Sequence, residues 1–254
     1  MKIAYFDCIS GMSGDMLAGA LIDAGLDLSF FKKELRKVAV DGYAVRAERQ
    51  SRLGISGTRF IVELKEAGHG HEHGNGHGHG RSFSDIVKLI RASRLAPAVK
   101  DDVIDIFKIV ARAEGKIHNR SMNDVHFHEV GAVDSIIDIV CAAVGIRALG
   151  IQKACASQIP AGSGVVRCAH GVFPVPAPAT AEILKGIPLV KGAVRQELVT
   201  PTGAAIIRHF VSSFDGFPQM QIGTIGYGVG SKDFKEIPNL FRLMIGEAPD
   251  TPSA

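Results

Sequence analysis

The residues best suited to chemistry crowd into the middle of the chain, in Val125-His126-Phe127-His128-Glu129-Val130-Gly131-Ala132-Val133-Asp134-Ser135-Ile136-Ile137-Asp138. His126 and His128 are two apart, so an extended backbone sends both imidazoles to one face. Gly131 breaks the extended run, and Asp134 and Asp138 follow at i and i+4, one turn apart on one face of a helix. That helix continues Ile139-Val140-Cys141-Ala142-Ala143-Val144-Gly145-Ile146, apolar nearly all round, and is expected to be buried. Carboxylates in a buried helix are costly unless paired, hydrogen-bonded or bound to a metal. Taken singly, each residue has a plainer role: a lone His can be a satisfied core or surface group, and Asp134 in a first helical turn is favoured by the helix dipole. Two imidazoles and three carboxylates within 13 residues are a different matter. Imidazole nitrogen with carboxylate oxygen suits a divalent transition metal, and neutral imidazole accepts protons near physiological pH. His126, His128, Glu129, Asp134 and Asp138 are therefore the candidate catalytic residues, His126 and His128 also candidate metal ligands.

A second His cluster is of another kind. Residues 69–79 read HGHEHGNGHGH, with glycine at almost every other place, and form a flexible loop. His69, His71, His73, His77 and His79 can chelate Ni²⁺, Cu²⁺, Zn²⁺ or Co²⁺ as a loose clamp. Catalysis needs ligands held in place, so capture and release suit this loop better.

Two glycine-bearing turns could receive an anion. The strand-like Lys2 to Cys8 leads through Ser10-Gly11-Met12-Ser13-Gly14-Asp15 into a helix over Met16 to Ala24, stopped by Gly25. Strand, turn, helix presents backbone N–H groups to a phosphate, which makes Ser13, Gly14 and Asp15 candidate binding residues, though the spacing is not that of a Walker loop and a tight turn alone would look the same. Asp7 closes the strand, a common place for a ligand, and is a candidate metal residue. Glu197-Leu198-Val199-Thr200-Pro201-Thr202-Gly203-Ala204-Ala205 ends a strand and opens a helix to about Val211, with Thr200 as N-cap and Pro201 at the first helical position. Thr200, Thr202 and Gly203 could hold a phosphate or carboxylate, or simply cap the helix.

The elements that must position these groups follow from periodicity. Helices are predicted over Ser29 to Val38, from Ser84 through Ile90, over Ala98 to Gly115 with Pro97 in the first turn, and from Val175 through Leu184. Strands are predicted over Tyr43 to Arg49 and Gly57 to Leu64 as a hairpin, Lys153 to Gln158, a short run within Gly162 to Gly171, Gln219 to Gly230 and Asn239 to Gly246. Hairpin-linked and helix-linked strands mix, so the expected class is α+β, mixed sheets with packed helices and the His/Gly loop inserted. The expected organisation is an N-terminal α/β segment at 1–68, the loop at 69–80, and a helical segment with the main α+β portion at 81–254, which can form one domain with 1–68.

Composition narrows the field. The 254 residues suffice for a large core, and 46% hydrophobic with 22% charged is ordinary for a globular protein. A net charge of +3, scattered basic residues and no Trp argue against nucleic acid. Cys8, Cys141, Cys155 and Cys168 are far apart, which argues against a zinc knuckle or a disulfide framework. No apolar run approaches the roughly 20 residues of a membrane span, and the expected location is the cytoplasm.

Together, FDCISGMSGDM at 6–16, HFHEVGAVDSIIDIV at 126–140, CAHGVFPVPAPAT at 168–180, ELVTPTGAA at 197–205 and IGYGVG at 225–230 resemble, in order, the nickel-insertion family that completes the nickel-pincer cofactor of lactate racemase. The resemblance implies insertion of Ni²⁺ into pyridinium-3,5-bisthiocarboxylic acid mononucleotide by a CTP-dependent chelatase or cyclometallase of the lyase class, the metal held by two sulfurs and a ring carbon. It implies a mononucleotide substrate, a further C-terminal domain that binds CTP with Mg²⁺ or Mn²⁺, the lactate racemase apoprotein as a partner, and a homo-oligomer. The likeness corresponds to the N-terminal portion of that family. Two other functions are compatible with the residues: a nickel-storing metallochaperone, which the His/Gly loop supports, and a metal-dependent phosphohydrolase, which carboxylates outnumbering His would favour.

Overall fold

A computed structural model describes residues 1–65, 81–125, 127, 132–168 and 171–249. The chain opens with β1 (Lys2–Asp7), α1 (Gly14–Asp23), α2 (Leu28–Leu35), β2 (Tyr43–Arg52) and β3 (Ile55–Leu64). After the His/Gly stretch come α3 (Phe83–Ala92), α4 (Pro97–Ile117), a 3-10 turn at Met122–Asp124, α5 (Val133–Ala148) and β4 (Lys153–Ala156). Short pieces follow: β5 (Ile159–Pro160), β6 (Val165–Cys168), β7 (Gly171–Pro174), α6 (Pro178–Ile183) and β8 (Leu189–Val190). The last elements are α7 (Pro201–Phe210), β9 (Val211–Ser213), β10 (Gln221–Val229) and β11 (Leu240–Glu247).

Among the described residues the main sheet has seven strands in the order β2-β3-β10-β11-β1-β4-β9. β1 pairs antiparallel with β11 and parallel with β4, so the sheet is mixed and the class is α+β, as expected. Strands from both sides of the His/Gly stretch share this sheet, and one cluster of buried side chains runs from Ala4 to Ile245.

α5 is buried as its all-round apolar sequence requires, with Ile136, Ile137, Ile139, Val140, Cys141, Ala142 and Ala143 all at 0% exposure. α1 lies against β10 because β10 carries glycines there: a Cβ on Gly228 would sit 1.7 Å from the Met16 carbonyl oxygen, and one on Gly226 2.1 Å from that of Ala20. Gly145 likewise admits Leu21, whose Cδ1 would be 2.5 Å from an added Cβ, and so seats α1 on α5.

Several boundaries depart from the sequence expectation. The β2–β3 hairpin is longer, closing on Leu53-Gly54 with φ of 47° and 82°. Two successive positive φ values are those of a type I′ turn, in which Leu is an unusual first residue, so the turn left a weak signal. α7 ends at Phe210, because Val211 pairs with Ala154 and starts β9. No helix among the described residues is long and apolar enough to cross a membrane.

Candidate functional site

Three helix N-termini meet beside the sheet. The turn after β1 runs alongside the segment before α7: Met12 N–H donates to the Leu198 carbonyl (3.0 Å) and Thr200 N–H to that of Met12 (3.3 Å). Gly203 permits this, since a Cβ there would fall 2.1 Å from the Met12 carbonyl oxygen. Gly14, the first residue of α1, packs on α5 in the same manner, an added Cβ lying 2.6 Å from Cβ of Asp138. Gly203 lets two backbones approach, and Gly14 leaves room for the Asp138 side chain.

Between these ends lies a cleft of about 410 Å³ walled by Ser13, Asp15, Arg59, Asp134, Asp138, Glu197, Thr200 and Thr202. Asp138 is partly buried, and its Oδ1 is sealed from solvent with no donor among the described residues. Burial, then the charges of Asp15 and Asp134, push its pKa well above the usual carboxylate range. Burial also raises Asp15, against the Ser13 hydroxyl, the Met16 N–H and the Arg59 charge, which favour its ionised form. The Ser13 hydroxyl donates to Asp15 Oδ1, which is why it does not cap α1. Asp134 is exposed at the rim and accepts from Ser135 N–H at 2.7 Å. Thr200 caps α7, its Oγ1 accepting from Gly203 N–H (3.1 Å) and lying 2.8 Å from Oγ1 of Thr202.

Such a site favours cations at one set of groups and tolerates an anion at another. Carboxylates gathered in one cleft, one of them with an oxygen sealed from any donor among the described residues, are stabilised by a divalent ion. Asp15 and Asp138, with Asp134 at the rim, are the described side chains that could hold one. They share the cleft without converging: among the described residues no three His, Cys, Asp or Glu side chains close into a metal-binding group.

Of the residues singled out in the sequence, the structure brings together Ser13, Gly14, Asp15, Asp134, Asp138, Thr200, Thr202 and Gly203. Asp7 is elsewhere, in a second cleft with Tyr5, Cys8 and Ser157, where Arg242 Nε and Nη2 donate to its Oδ2 at 2.9 and 2.5 Å. His126, His128 and Glu129, and His69, His71, His73, His77 and His79, lie outside the described residues. Next to the first group, Val125 and Phe127 are buried, Phe127 N–H donates to the Arg81 carbonyl (3.2 Å), and its ring lies 6.0 Å from that of Phe107. Cys8 is buried, and burial with the Asp7 charge pushes its thiol pKa up, so it is not poised as a thiolate.

Sequence reasoning missed Arg59. A single Arg within a strand, between Thr58 and Phe60, reads as a solvent-facing residue, and no spacing pattern links it to Asp15 or Thr200. Ser135 was passed over too, hidden between the two aspartates it accompanies.

Comparison with known proteins gives this geometry its context. The profile described as nickel insertion protein matches residues 4–253. The pyridinium-3,5-bisthiocarboxylic acid mononucleotide nickel insertion protein of Geobacillus kaustophilus (strain HTA426) is 47% identical over 247 residues, covering 97% of this chain and 60% of that protein. Proteins of the same name from Desulfitobacterium hafniense (strain DSM 10664 / DCB-2) and Clostridium kluyveri (strain ATCC 8527 / DSM 555 / NBRC 12016 / NCIMB 10680 / K1) are 47% and 48% identical, covering 98% and 97% of this chain and 60% and 62% of theirs. The chain thus spans about three fifths of the length of these relatives. No solved structure matches. The chain belongs to the nickel insertion protein family.

Proposed function

We propose that this chain carries the nickel-inserting site of an enzyme that places Ni²⁺ into pyridinium-3,5-bisthiocarboxylic acid mononucleotide, making the nickel-pincer cofactor of lactate racemase. The observation that carries this reading is the Asp138 carboxylate, with one oxygen sealed and unpartnered beside Asp15 in an open cleft. Nickel is here a substrate. Asp15 and Asp138, with Asp134 and the imidazoles of His126 and His128, receive it before transfer. Carboxylate oxygen is a weaker partner for Ni²⁺ than a soft sulfur, so the ion passes to the two thiocarboxylates once they arrive.

Closing the pincer forms a nickel–carbon bond as a ring C–H bond breaks. The electron pair of the C–H bond becomes the nickel–carbon bond, nickel stays Ni²⁺, and the proton goes to a base. A carboxylate whose pKa is raised by burial is a stronger proton acceptor than an ordinary one, which suits Asp138, and neutral imidazole suits His126 or His128. The substrate's phosphate belongs at the first turn of α7, with Thr200, Thr202 and Gly203, because Asp15 and Asp138 crowd the first turn of α1. CTP with Mg²⁺ or Mn²⁺, in this reading, acts on the part of the relatives that lies beyond this chain. The lactate racemase apoprotein as a recipient, a homo-oligomeric state and a cytoplasmic location complete the proposal.

The test is nickel binding by calorimetry and cofactor formation by mass spectrometry, with CTP and the remaining portion of a relative supplied. Asp138→Ala and Asp15→Ala should abolish insertion while the protein stays folded; near-normal insertion in either would end the assignment. The acid-rich cleft also fits a metal-dependent phosphohydrolase. Turnover of p-nitrophenyl phosphate with Mn²⁺, lost in Asp138→Ala, would favour that activity, and nickel retention without either reaction would make the chain a nickel store.

A further inference from the structure

Arg59 has no part in the chemistry proposed above, yet it stands in the wall of the same cleft. Among the described residues its guanidinium makes no hydrogen bond or ion pair, and its Nε is sealed from solvent without an acceptor. It is also the one basic side chain among the described residues lining a cleft that holds four acids, Asp15, Asp134, Asp138 and Glu197. Guanidinium groups are always charged and carry five donors in a planar fork, so one left without acceptors beside an open cavity is unusual and points to an anion that it receives.

The end of α7 cannot hold a phosphate unaided. Pro201 has no N–H, Gly203 N–H is bound by Thr200 Oγ1, and Ala204 N–H donates to the Thr200 carbonyl at 2.8 Å. Thr202 N–H remains, with two hydroxyls that bond each other at 2.8 Å. One amide and two hydroxyls can orient a phosphate but cannot offset two negative charges next to a group of carboxylates. A cation in the same lining supplies what is missing.

We propose that Arg59 is the specificity residue for a phosphate monoester: its guanidinium and the first turn of α7, through Thr200, Thr202 and the Thr202 N–H, grip the phosphate of a mononucleotide whose cationic end faces the acids. The inference rests on the functional reading above for the identity of the mononucleotide, while the phosphate contact itself rests on the cleft. The two are separable by experiment. Nicotinic acid mononucleotide and its dephosphorylated riboside serve as pyridinium probes, and inorganic phosphate as a probe free of any pyridinium; all are titrated calorimetrically into wild type, Arg59→Gln and Arg59→Lys, with nickel titrated in parallel and folding checked by circular dichroism. Wild type should prefer the mononucleotide to the riboside by about 10- to 100-fold, the value of a charge-assisted hydrogen-bonded pair. Arg59→Gln should lose that preference and its phosphate binding, Arg59→Lys should keep part of both, and nickel affinity should hold or rise because a cation near Asp15 is gone. Retained phosphate preference in Arg59→Gln overturns the proposal, as does a change confined to nickel affinity, which would make Arg59 a neutraliser of the acids. If wild type binds phosphate through Arg59 but neither pyridinium probe, the subsite stands and the cofactor reading falls. If it binds none of the three, both fall.

Discussion

Replacing Asp138 by Asn should make the metal-free protein more stable while removing its capacity for nickel. Asp138 has one carboxylate oxygen sealed without a donor among the described residues, and Asp15 and Asp134 share its cleft. A buried polar group left without its hydrogen bond costs about 1–3 kcal/mol, more when charged. Asn keeps the shape and removes the charge, so a gain of roughly 1–3 kcal/mol is expected at neutral pH, or roughly 2–12 °C in Tm for a chain of this size. The sign with pH follows from linkage. Because burial and neighbouring acids hold the folded pKa above the unfolded one, the folded state binds the proton more tightly. Below the ordinary carboxylate range both states are protonated and ionisation costs nothing. As pH rises towards the raised value the unfolded chain ionises first and stability is lost, and the loss persists above it. The advantage of Asp138→Asn should therefore be largest near pH 7.5 and shrink towards pH 4. Nickel reverses the order: a ligand at 100 times its Kd stabilises the state that binds it by about 2.7 kcal/mol, a gain open only to wild type. Scanning calorimetry of both proteins at pH 4.5 and 7.5, with EDTA and with NiCl₂, tests all three statements. An Asn variant that melts below wild type in EDTA at pH 7.5 would refute the reasoning, since it would place Asp138 in a structural pair whose rupture costs about 3–5 kcal/mol.

Gly14→Ala should destabilise by about 1–3 kcal/mol, as overpacking does, and weaken nickel binding, because its Cβ would lie 2.6 Å from Cβ of Asp138; an unchanged melt and unchanged calorimetric titration would contradict this. Asp102→Ala should cost about 1–3 kcal/mol without touching insertion chemistry, since Asp102 accepts from Arg147 (2.7 and 2.9 Å) and His209 (3.0 Å) well outside the cleft; urea melts beside cofactor formation measure both, and lost activity in the folded variant would count against the separation. Deleting residues 69–79 should lower the number of Ni²⁺ bound per chain but leave cofactor formation intact at saturating nickel; complete loss of formation would refute a role in capture alone. With CTP, this chain should form little cofactor until the remaining portion of a relative is added, and robust formation without it would place the nucleotide site here.

The fold was legible where one local pattern decided it. The unbroken apolar run from Ile136 to Ile146 left α5 no surface to show to water, and it is buried. Thr200 followed by Pro201 marked the start of α7, because a hydroxyl acceptor and a residue without N–H suit those two positions and few others. The order of strands was not legible. It depends on β10 reaching past α1 through Gly226 and Gly228, a contact between segments some 200 residues apart that leaves only glycines in the sequence, and glycine has many other uses.

The candidate site divides along the same line. Asp134 and Asp138 were visible because a helical repeat places two acids on one face of an otherwise apolar helix, although only Asp138 is drawn inward and Asp134 stays exposed at the rim. That they meet Ser13, Asp15 and Thr200 could not be read from spacing, since it requires Met12 and Leu198 to lie side by side and Gly14 to sit on Asp138. Asp7 shows the limit of reasoning from position: a carboxylate at a strand end looks like a ligand, yet here it faces Arg242 across β1 and β11. Arg59 shows the reverse. It carried no pattern at all, and its meaning arises only when a guanidinium with its Nε sealed from any acceptor among the described residues is found among four acids and beside a helix end with one amide left to offer. A residue whose role is set by what it lacks, rather than by what surrounds it in sequence, becomes visible only in three dimensions, and an isolated cation in an acidic cleft is a place where a ligand supplies the missing partner.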